Sequence, residues 1–318
     1  MKVRIGFGLG TNAIRDGAGR GFDAFGELVD ALEDNRLDSL WLSERITGGT
    51  IDPIVGMAFA AGRTTRLKFG TSVLVLPGRN PVVLAKELAS LDVLSGGRLL
   101  PAFGLGVVDP GEQQAFGVAR RERAAWFDEA LPLIRRLWTE EAVDHEGPRF
   151  HYRGLSVQPK PIQQPPDVWL GGQSPGELRR VGRLSDGWLP SFCTPEDAAV
   201  GRVAIEEAAA TAGRAIDPEH FGALIPYVRT QLPDRLVRVL EVRRPGVDPR
   251  RVVPVGWPAM RELLEAFVAV GFSKFVLVPA EEPRRWPDEI AELAAEVLPL
   301  ARAGGVGERR DPALGGHA

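Results

Sequence analysis

The sequence predicts an α/β protein of the (β/α)8 barrel class, because short apolar runs alternate with helical patterns along the chain. Eight β-branched or aliphatic runs are the strand candidates: 3–9, 39–43, 67–76, 99–106, 167–171, 187–191, 221–228 and 274–279. A repeat of strand, loop and helix requires parallel strands with crossover connections. Eight such units in 318 residues favour a closed barrel over an open doubly wound sheet.

The helices between these runs are predicted from apolar spacing and from their first residues. Phe25, Leu28, Val29 and Leu32 repeat at the intervals of one helix face. Four helix starts combine a capping side chain with a following proline, at Asp52-Pro53, Asn80-Pro81, Ser174-Pro175 and Thr194-Pro195. Glu177, three residues after Ser174, completes a capping box.

Two regions depart from the alternation. After the fourth helix, which Pro132 is expected to kink or break, residues 140–166 are predicted to form a small hairpin insertion at the mouth of the barrel. The tail 303–318 is rich in glycine and charge and is expected to be disordered. We therefore expect one domain over residues 1–302.

Composition excludes several classes of function. A net charge of -3 without basic runs argues against nucleic acid as a partner. The single cysteine, Cys193, and four scattered histidines leave no metal-ligand spacing, so no metal is expected. The strand-like start and the lack of long apolar segments predict a cytoplasmic protein without a membrane partner.

The candidate site residues lie at predicted strand ends, where ligands bind in such folds. Strand three ends in Thr71, Ser72 and Val73 after a glycine, which suggests a close approach to the backbone, although small residues also suit a tapering barrel interior. Strand four ends Gly-Leu-Gly before Val107, Val108 and Asp109. This resembles the start of a dinucleotide fingerprint but lacks its third glycine and is not followed directly by a helix. Asp109 is a candidate proton donor or acceptor, and the alternative is a capping role.

Two further strand ends carry candidates. Gly171, Gly172, Gln173 and Ser174 lead into a helix, an arrangement that holds an anionic group through backbone amides or serves simply as a helix cap. Glu44 and Arg45 follow strand two. A charged pair at this end of a barrel strand indicates binding or catalysis, and a rim salt bridge is the alternative.

Several segments together resemble the luciferase-like monooxygenase superfamily, in its branch of oxidoreductases that use the deazaflavin coenzyme F420. The resemblance covers residues 3–300 and rests on the motifs DSLWLSER (38–45), TTRLKFGTSV (64–73), LDVLSGGR (91–98), GLG (104–106), WLGG (169–172) and SDGW (185–188). It implies a barrel of the bacterial-luciferase type with a flavin or deazaflavin ring over the strand ends. It also implies a cis peptide bond between Ser72 and Val73 against that ring.

The resemblance further implies roles for single residues. Gly171, Gly172 and Ser174 would hold the cofactor phosphate, Val107 and Val108 would contact the ring through their backbone, and Glu44 would lie near its polar edge. Arginines near the rim, such as Arg79, would meet the anionic tail of the coenzyme. Alcohol and sugar-phosphate dehydrogenases of this branch carry histidine where this chain has Arg45, so alcohol oxidation by that base is not expected here.

We therefore expect an oxidoreductase that transfers hydride between C5 of coenzyme F420 and a small organic substrate, with Asp109, Glu44 and Arg45 as the catalytic residues. One alternative is a monooxygenase that uses FMN, with a flavin reductase as partner. Another is a barrel that binds the cofactor without catalysis. The expected protein partner is a flavin or F420 reductase that supplies the reduced cofactor. The chain is also expected to form a homodimer.

Overall fold

The structure, a computed structural model, describes residues 1–10 and 21–303. Its strands are β1 (Arg4–Gly8), β2 (Ser39–Leu42), β3 (Lys68–Thr71), β4 (Leu74–Val75), β5 (Leu99–Leu100), β6 (Ala102–Gly104), β7 (Val143–Glu146), β8 (His151–Leu155), β9 (Trp169–Leu170), β10 (Gly187–Trp188), β11 (Gly222–Tyr227) and β12 (Lys274–Pro279). The predicted tail comprises residues 303–318; Ala303 is instead the last residue of a helix, and 304–318 lie outside the described residues.

The helices alternate with these strands. They are α1 (Gly21–Asp34), α2 (Pro53–Arg63), α3 (Pro81–Ser95), α4 (Pro110–Phe116), α5 (Arg120–Thr139), α6 (Pro175–Leu184), α7 (Pro195–Thr211), α8 (Asp234–Arg243), a 3-10 turn (Pro249–Arg251), α9 (Gly256–Ala269) and α10 (Trp286–Ala303). No described helix has both the length and the apolar character that crossing a bilayer requires.

Two parallel sheets contain the strands of the α/β unit. One has the order β11-β12-β1-β2-β3-β5, and the other has the order β10-β9-β6-β4. The third and fourth predicted strands are each split in two, after Thr71 and after Leu100, and the halves belong to different sheets. Isolated parallel bridges Trp188–Phe221 and Ser191–Leu224 connect β10 and the segment that follows it to β11 and the residue that precedes it. The α/β class is confirmed, whereas closure into one barrel stays a prediction.

The capping side chains predicted from the sequence begin the helices that they precede. Asp52 accepts a hydrogen bond from the Val55 amide, and Asn80 accepts two from the start of α3. Ser174 and Glu177 form a capping box at α6, and Thr194 and Asp197 form another at α7. These caps are confirmed. The sequence could predict them because a cap involves residues no more than three positions apart.

A two-stranded antiparallel hairpin, β7 and β8, follows α5. Phe150, just before β8, packs edge-on against Trp126 of α5, with ring centroids 5.3 Å apart. Helix α5 continues through Pro132, so the break that proline allows does not occur. Buried neighbours such as Leu131 and Leu133 hold both sides of the proline in the core, which offsets the lost hydrogen bond.

An ion pair lies buried near the amino ends of the strands. The Nζ of Lys274 lies 2.9 Å from Oδ2 of Asp38, and it also faces the rings of Trp41 and Trp169 at 5.7 and 5.8 Å. Burial lowers the pKa of Lys274, and Asp38 opposes that effect. This end of the sheet is therefore closed by packed side chains, and the open end is the opposite one.

Candidate functional site

A cavity of about 560 Å³ opens at the carboxyl ends of the parallel strands. Its size is within the range of small-molecule and cofactor sites. The side chains that surround it come from many strand ends, and the apolar ones include Val73, Val75, Phe103, Leu170, Leu189, Leu224 and Val278. An apolar slot with a few charged groups at its edge suits a flat aromatic ligand.

The gap between β3 and β4 forms one wall of the cavity. The peptide bond between Ser72 and Val73 is cis, as the family resemblance implied. The Ser43 hydroxyl lies 3.0 Å from the Ser72 carbonyl oxygen and 3.1 Å from its hydroxyl. A Cβ on Gly104 would overlap the side chain of Val73, so glycine is required where the ends of strands three and four meet.

Glu44 is a buried carboxylate at the edge of this wall. Its Oε2 accepts a hydrogen bond of 2.7 Å from the Val75 amide, and its Oε1 accepts one from the guanidinium of Arg79. Burial raises the pKa of Glu44, while Arg79 and the Val75 amide limit the rise. Arg79 also donates to the Val75 carbonyl and does not line the cavity, so it is occupied within the protein.

Arg45 and Glu112 form the next charged pair along the rim. The Nε of Arg45 lies 3.5 Å from Oε1 of Glu112. Glu112 is buried and accepts hydrogen bonds from the amide and hydroxyl of Thr47, at 3.0 and 2.8 Å, and from the Ile46 amide. Burial acts against the charge of Glu112, but these hydrogen bonds lower its pKa overall. Arg45 therefore faces the cavity beside an ionised carboxylate.

The glycine loop after β9 differs from an open anion site. The Oε2 of Glu177 accepts hydrogen bonds from the amides of Gln173 and Ser174, at 3.0 and 2.9 Å. Gly172 has φ +93, and a Cβ there would lie 2.5 Å from the Glu177 carboxyl carbon. The carboxylate of the capping box thus takes the two amides at the helix start. Gly171 and Gly172 remain the cavity-lining residues of this loop.

The loop after β6 carries the predicted strand-four residues. The buried Arg123 donates to the Leu105 carbonyl at 2.9 Å, directly behind Gly106. Val107 lines the cavity, and Val108 is exposed and does not. Asp109 is the N-cap of α4 and accepts the Glu112 amide at 3.0 Å, which is the capping role that the sequence left open.

Helix α8 forms the outer wall. Leu236, Val239 and Arg243 line the cavity, and Arg243 lies over the ring of Phe192 at 5.7 Å. Phe192 has φ 55, which is rare for a residue with a bulky side chain. Sequence reasoning missed this wall, although the spacing of Leu236, Val239 and Arg243 already fits one helix face.

The structure separates the predicted site residues into two groups. Those that line the cavity are Glu44, Arg45, Ser72, Val73, Val107, Gly171 and Gly172. Those that do not are Thr71, Val108, Asp109, Gln173 and Ser174. Thr71 is buried, and its hydroxyl donates to the Ala102 carbonyl at 2.6 Å and accepts from the Ala102 amide at 2.9 Å. It joins the third and fourth strands instead of facing a ligand.

The site also contains cavity-lining residues that the sequence did not single out, among them Glu112, Arg180 and Phe192. Glu112 was predictable in part, since an acidic residue three positions after the Asp109 cap is expected at a helix start. Nothing in the sequence signals the backbone conformation of Phe192. Within residues 1–10 and 21–303, no three potential metal ligands cluster together.

Residues 4–247 match the family described as luciferase-like monooxygenase. The F420-dependent glucose-6-phosphate dehydrogenase of Kineococcus radiotolerans is 33% identical over 177 residues, which are 52% of this chain and 52% of that protein. The chain spans about half the length of the curated relatives it matches.

Two solved structures share the fold. The F420-dependent tetrahydromethanopterin reductase of Methanopyrus kandleri aligns with a TM-score of 0.74 and 19% identity, over 94% of this chain and 99% of that one. The oxygenating component of 3,6-diketocamphane monooxygenase from Pseudomonas putida, in complex with FMN, aligns with a TM-score of 0.75 and 18% identity, over 93% and 98%. At these identities the likeness shows the fold alone.

Proposed function

Because the chain belongs to the luciferase-like monooxygenase family, we propose that it is an oxidoreductase that binds coenzyme F420 and transfers hydride between C5 of this deazaflavin and a small organic substrate. The observation that carries the proposal is the apolar cavity of about 560 Å³ at the carboxyl ends of the strands. The F420-dependent dehydrogenase among the relatives supports the choice of cofactor.

The residues of the cavity fit a flat ring. Val73 would pack against one part of it, and the backbone of residues 104–107 would approach it closely, since a Cβ on Gly104 has no room. Gly171 and Gly172 would lie toward the phosphate-bearing part. Bound deazaflavin supplies a two-electron hydride donor or acceptor, and one proton is exchanged as the substrate is reduced or oxidised.

Glu44, and not Asp109, is the acid or base in this proposal. Glu44 lines the cavity, and burial raises the pKa of its carboxyl group, which favours its use as a proton donor as well as an acceptor. Asp109 does not line the cavity, and its Oδ1 holds the Glu112 amide. The Ser43 and Ser72 hydroxyls lie on the same wall, where they would hydrogen-bond a substrate oxygen.

Arg45 positions the substrate. Its guanidinium is held beside Glu112, and the Arg45 side chain, which lines the cavity, keeps 28% of its surface exposed. Arginine stays protonated, so it serves as a hydrogen-bond donor to a polar or anionic substrate group instead of a base.

A monooxygenase that uses reduced FMN and oxygen is the second candidate. The description of the family and the FMN-bound structure of the same fold favour it. In that case the same apolar walls would exclude water, and a separate reductase would supply the reduced flavin. Fluorescence titration of the purified chain with F420 and with FMN distinguishes the two. Tight binding of FMN with no binding of F420 would overturn the first proposal.

The role of Glu44 is tested with Glu44→Gln and the matched variant Asp109→Asn. We expect Glu44→Gln to lower turnover of enone, imine and ketone substrates by about 100-fold or more, as loss of an acid-base group does, with F420 binding within a few-fold of the parent. Asp109→Asn should retain most of the rate. If Asp109→Asn loses turnover while Glu44→Gln retains it, Asp109 and not Glu44 is the acid or base.

A further inference from the structure

We propose that Arg243 binds an anionic group, a phosphate or a carboxylate, of a ligand whose apolar part lies along Leu236 and Val239 of the same helix. The inference deepens the proposed function, because it assigns the outer wall of the cavity a ligand chemistry. It rests on that function only in requiring that a small molecule occupies the cavity.

One face of α8 provides this surface. Leu236, Val239 and Arg243 follow one another at spacings of three and four residues, and all three line the cavity. Leu240, between them, is buried in a cluster with Val228, Val252 and Val253. The face is therefore apolar along most of its length and positive at its carboxyl end.

Arg243 differs from the other arginines of the cavity in its partners. Arg45 lies 3.5 Å from Glu112, and Arg180 donates to Asp128 at 2.6 Å. In the part of the chain that the structure describes, Arg243 makes a cation–π contact with Phe192 and no ion pair. Its guanidinium donors thus remain available for a charge-assisted hydrogen bond to a ligand.

The glycine loop does not replace Arg243 in this role. The amides of Gln173 and Ser174, which immediately precede α6, already donate to the carboxylate of Glu177. A ligand anion at that helix start would compete with a fixed negative charge. An arginine on the opposite wall is a more favourable partner.

Arg244 fixes the end of α8 in place. It donates to Oε1 of Gln173 and to Oδ2 of Asp197, both at 2.5 Å. Gln173 in turn donates to the carbonyl of Ser191 at 2.6 Å, next to Phe192. The end of the helix, the glycine loop and the segment that carries Phe192 are thereby connected, so Arg243 is held at the edge of the cavity.

Phe192 gives a second, independent observation at the same place. Its φ of 55 lies in the left-handed region, which costs energy for an aromatic residue, and such residues concentrate at ligand sites. Its half-buried ring lines the cavity beneath Arg243. The ring and the guanidinium together form a surface for an amphiphilic anion.

Two sources share this ligand chemistry: the anionic tail of the cofactor and an apolar organic acid that serves as substrate. Two binding arms distinguish them, both measured on the full chain without turnover. One arm compares F420 with its tail-free deazaflavin chromophore by fluorescence quenching. The other compares 4-phenylbutanoate with 4-phenylbutanamide by calorimetry.

Arg243→Gln is measured against Arg243→Lys and against Arg238→Gln. Arg238 is an exposed arginine of α8 that does not line the cavity, so its variant makes the same change of charge on the same helix. We expect Arg243→Gln to weaken the anionic member of at least one pair about tenfold, with the neutral member unchanged. Arg243→Lys should recover part of the affinity, and Arg238→Gln should have no effect.

Weakening in the F420 arm assigns the anion to the cofactor tail, and weakening in the phenylbutanoate arm assigns it to an organic acid. The inference is overturned if Arg243→Gln binds every ligand with the affinity of the parent protein. It is also overturned if Arg238→Gln weakens binding as much as Arg243→Gln does. Phenylbutanoate binding that depends on Arg243 in a chain that does not bind F420 would refute the proposed function and leave the inference intact. Unfolding curves of each variant confirm that the variants are folded.

Discussion

Arg79 and Glu44 form an ion pair in which the carboxylate is almost fully buried, with 1% of its side-chain surface exposed, while the arginine keeps 22%. The other carboxylate oxygen accepts the Val75 amide at 2.7 Å. Glu44 follows β2 and Val75 lies in β4, so one side chain connects the ends of two strands at the cavity wall. This arrangement places a carboxyl group with a raised pKa at the edge of the proposed ring site.

Arg79→Met should destabilise the protein in a pH-dependent way. Burial already raises the pKa of Glu44, and loss of Arg79 raises it further. Between the unfolded and the folded pKa the native state then binds more protons than the unfolded state, so stability falls as pH rises through that window. We expect a loss of roughly 3 kcal/mol at pH 8, because the charge is left buried, and a smaller loss at pH 5.

Urea unfolding at pH 5 and pH 8 measures this difference. Arg121→Met, at an exposed position of α5, is the control and should change stability by less than about 0.5 kcal/mol. The same deficit for Arg79→Met at both pH values would contradict the buried ion pair.

Glu112→Gln should also destabilise the protein more at higher pH, but through a carboxylate whose pKa is lowered instead of raised. Although burial opposes its charge, hydrogen bonds from Thr47 and Ile46 lower the pKa of Glu112. Its contribution to stability is therefore present above the unfolded pKa and is lost as pH falls through the lower folded value. We expect a loss of about 1–2 kcal/mol at pH 7 that shrinks toward pH 3.

Chemical denaturation at these two pH values tests the expectation, with the exposed Glu122→Gln as the matched control. If the loss of unfolding free energy in Glu112→Gln is the same at pH 3 as at pH 7, the negative charge of Glu112 does not stabilise the loop at 46–47.

Glu177→Gln separates helix capping from ligand binding. The amide oxygen of glutamine still accepts hydrogen bonds from the start of α6, so the stability loss should be only about 0.5–1 kcal/mol. Removal of the negative charge beside Gly172 should tighten F420 binding severalfold, because the coenzyme is anionic. Fluorescence titration in Glu177→Gln and in the exposed Glu87→Gln measures the effect, and weaker binding in the former would show that the carboxylate assists the ligand.

Asp38 and Lys274 should be energetically coupled. Each single replacement, Asp38→Asn or Lys274→Met, leaves one charge of a buried pair without its partner 2.9 Å away, and should cost about 3 kcal/mol. The double variant should cost less than the sum, with a coupling of about 1–3 kcal/mol. A double-mutant cycle from thermal or urea unfolding gives this term, and strict additivity would contradict the ion pair.

Several features of the fold could be predicted from short stretches of sequence. The Asp52 and Asn80 caps and the capping box of Ser174 and Glu177 are all present, because each depends on residues within one turn. The strand positions are confirmed as well, because the apolar runs that predict them are also local. The third and fourth predicted strands are nevertheless each two pieces where one continuous strand was expected. Whether the two sheets close into one barrel depends on long-range pairing that no local pattern contains.

The candidate site was predictable from the sequence only in part. Motifs at the strand ends identified the family and the loops that carry ligand-binding residues, and seven of the predicted residues line the cavity. The same motifs did not distinguish Ser72, which lines the cavity, from the adjacent Thr71, whose hydroxyl is hydrogen-bonded to the backbone of Ala102. Successive strand residues face opposite sides, and the sequence does not say which side is open.

The sequence by itself determined the alternation of strands and helices, the helix starts and the membership of a family, since these follow from local periodicity and from residues that are neighbours in the chain. The tertiary structure decided which charges are available to a ligand. Glu44 meets Arg79 across 35 residues, and Gln173 meets Arg244 across 71. The guanidinium groups of Arg79 and Arg244 are therefore engaged within the protein, and this pairing exists only after the chain has folded.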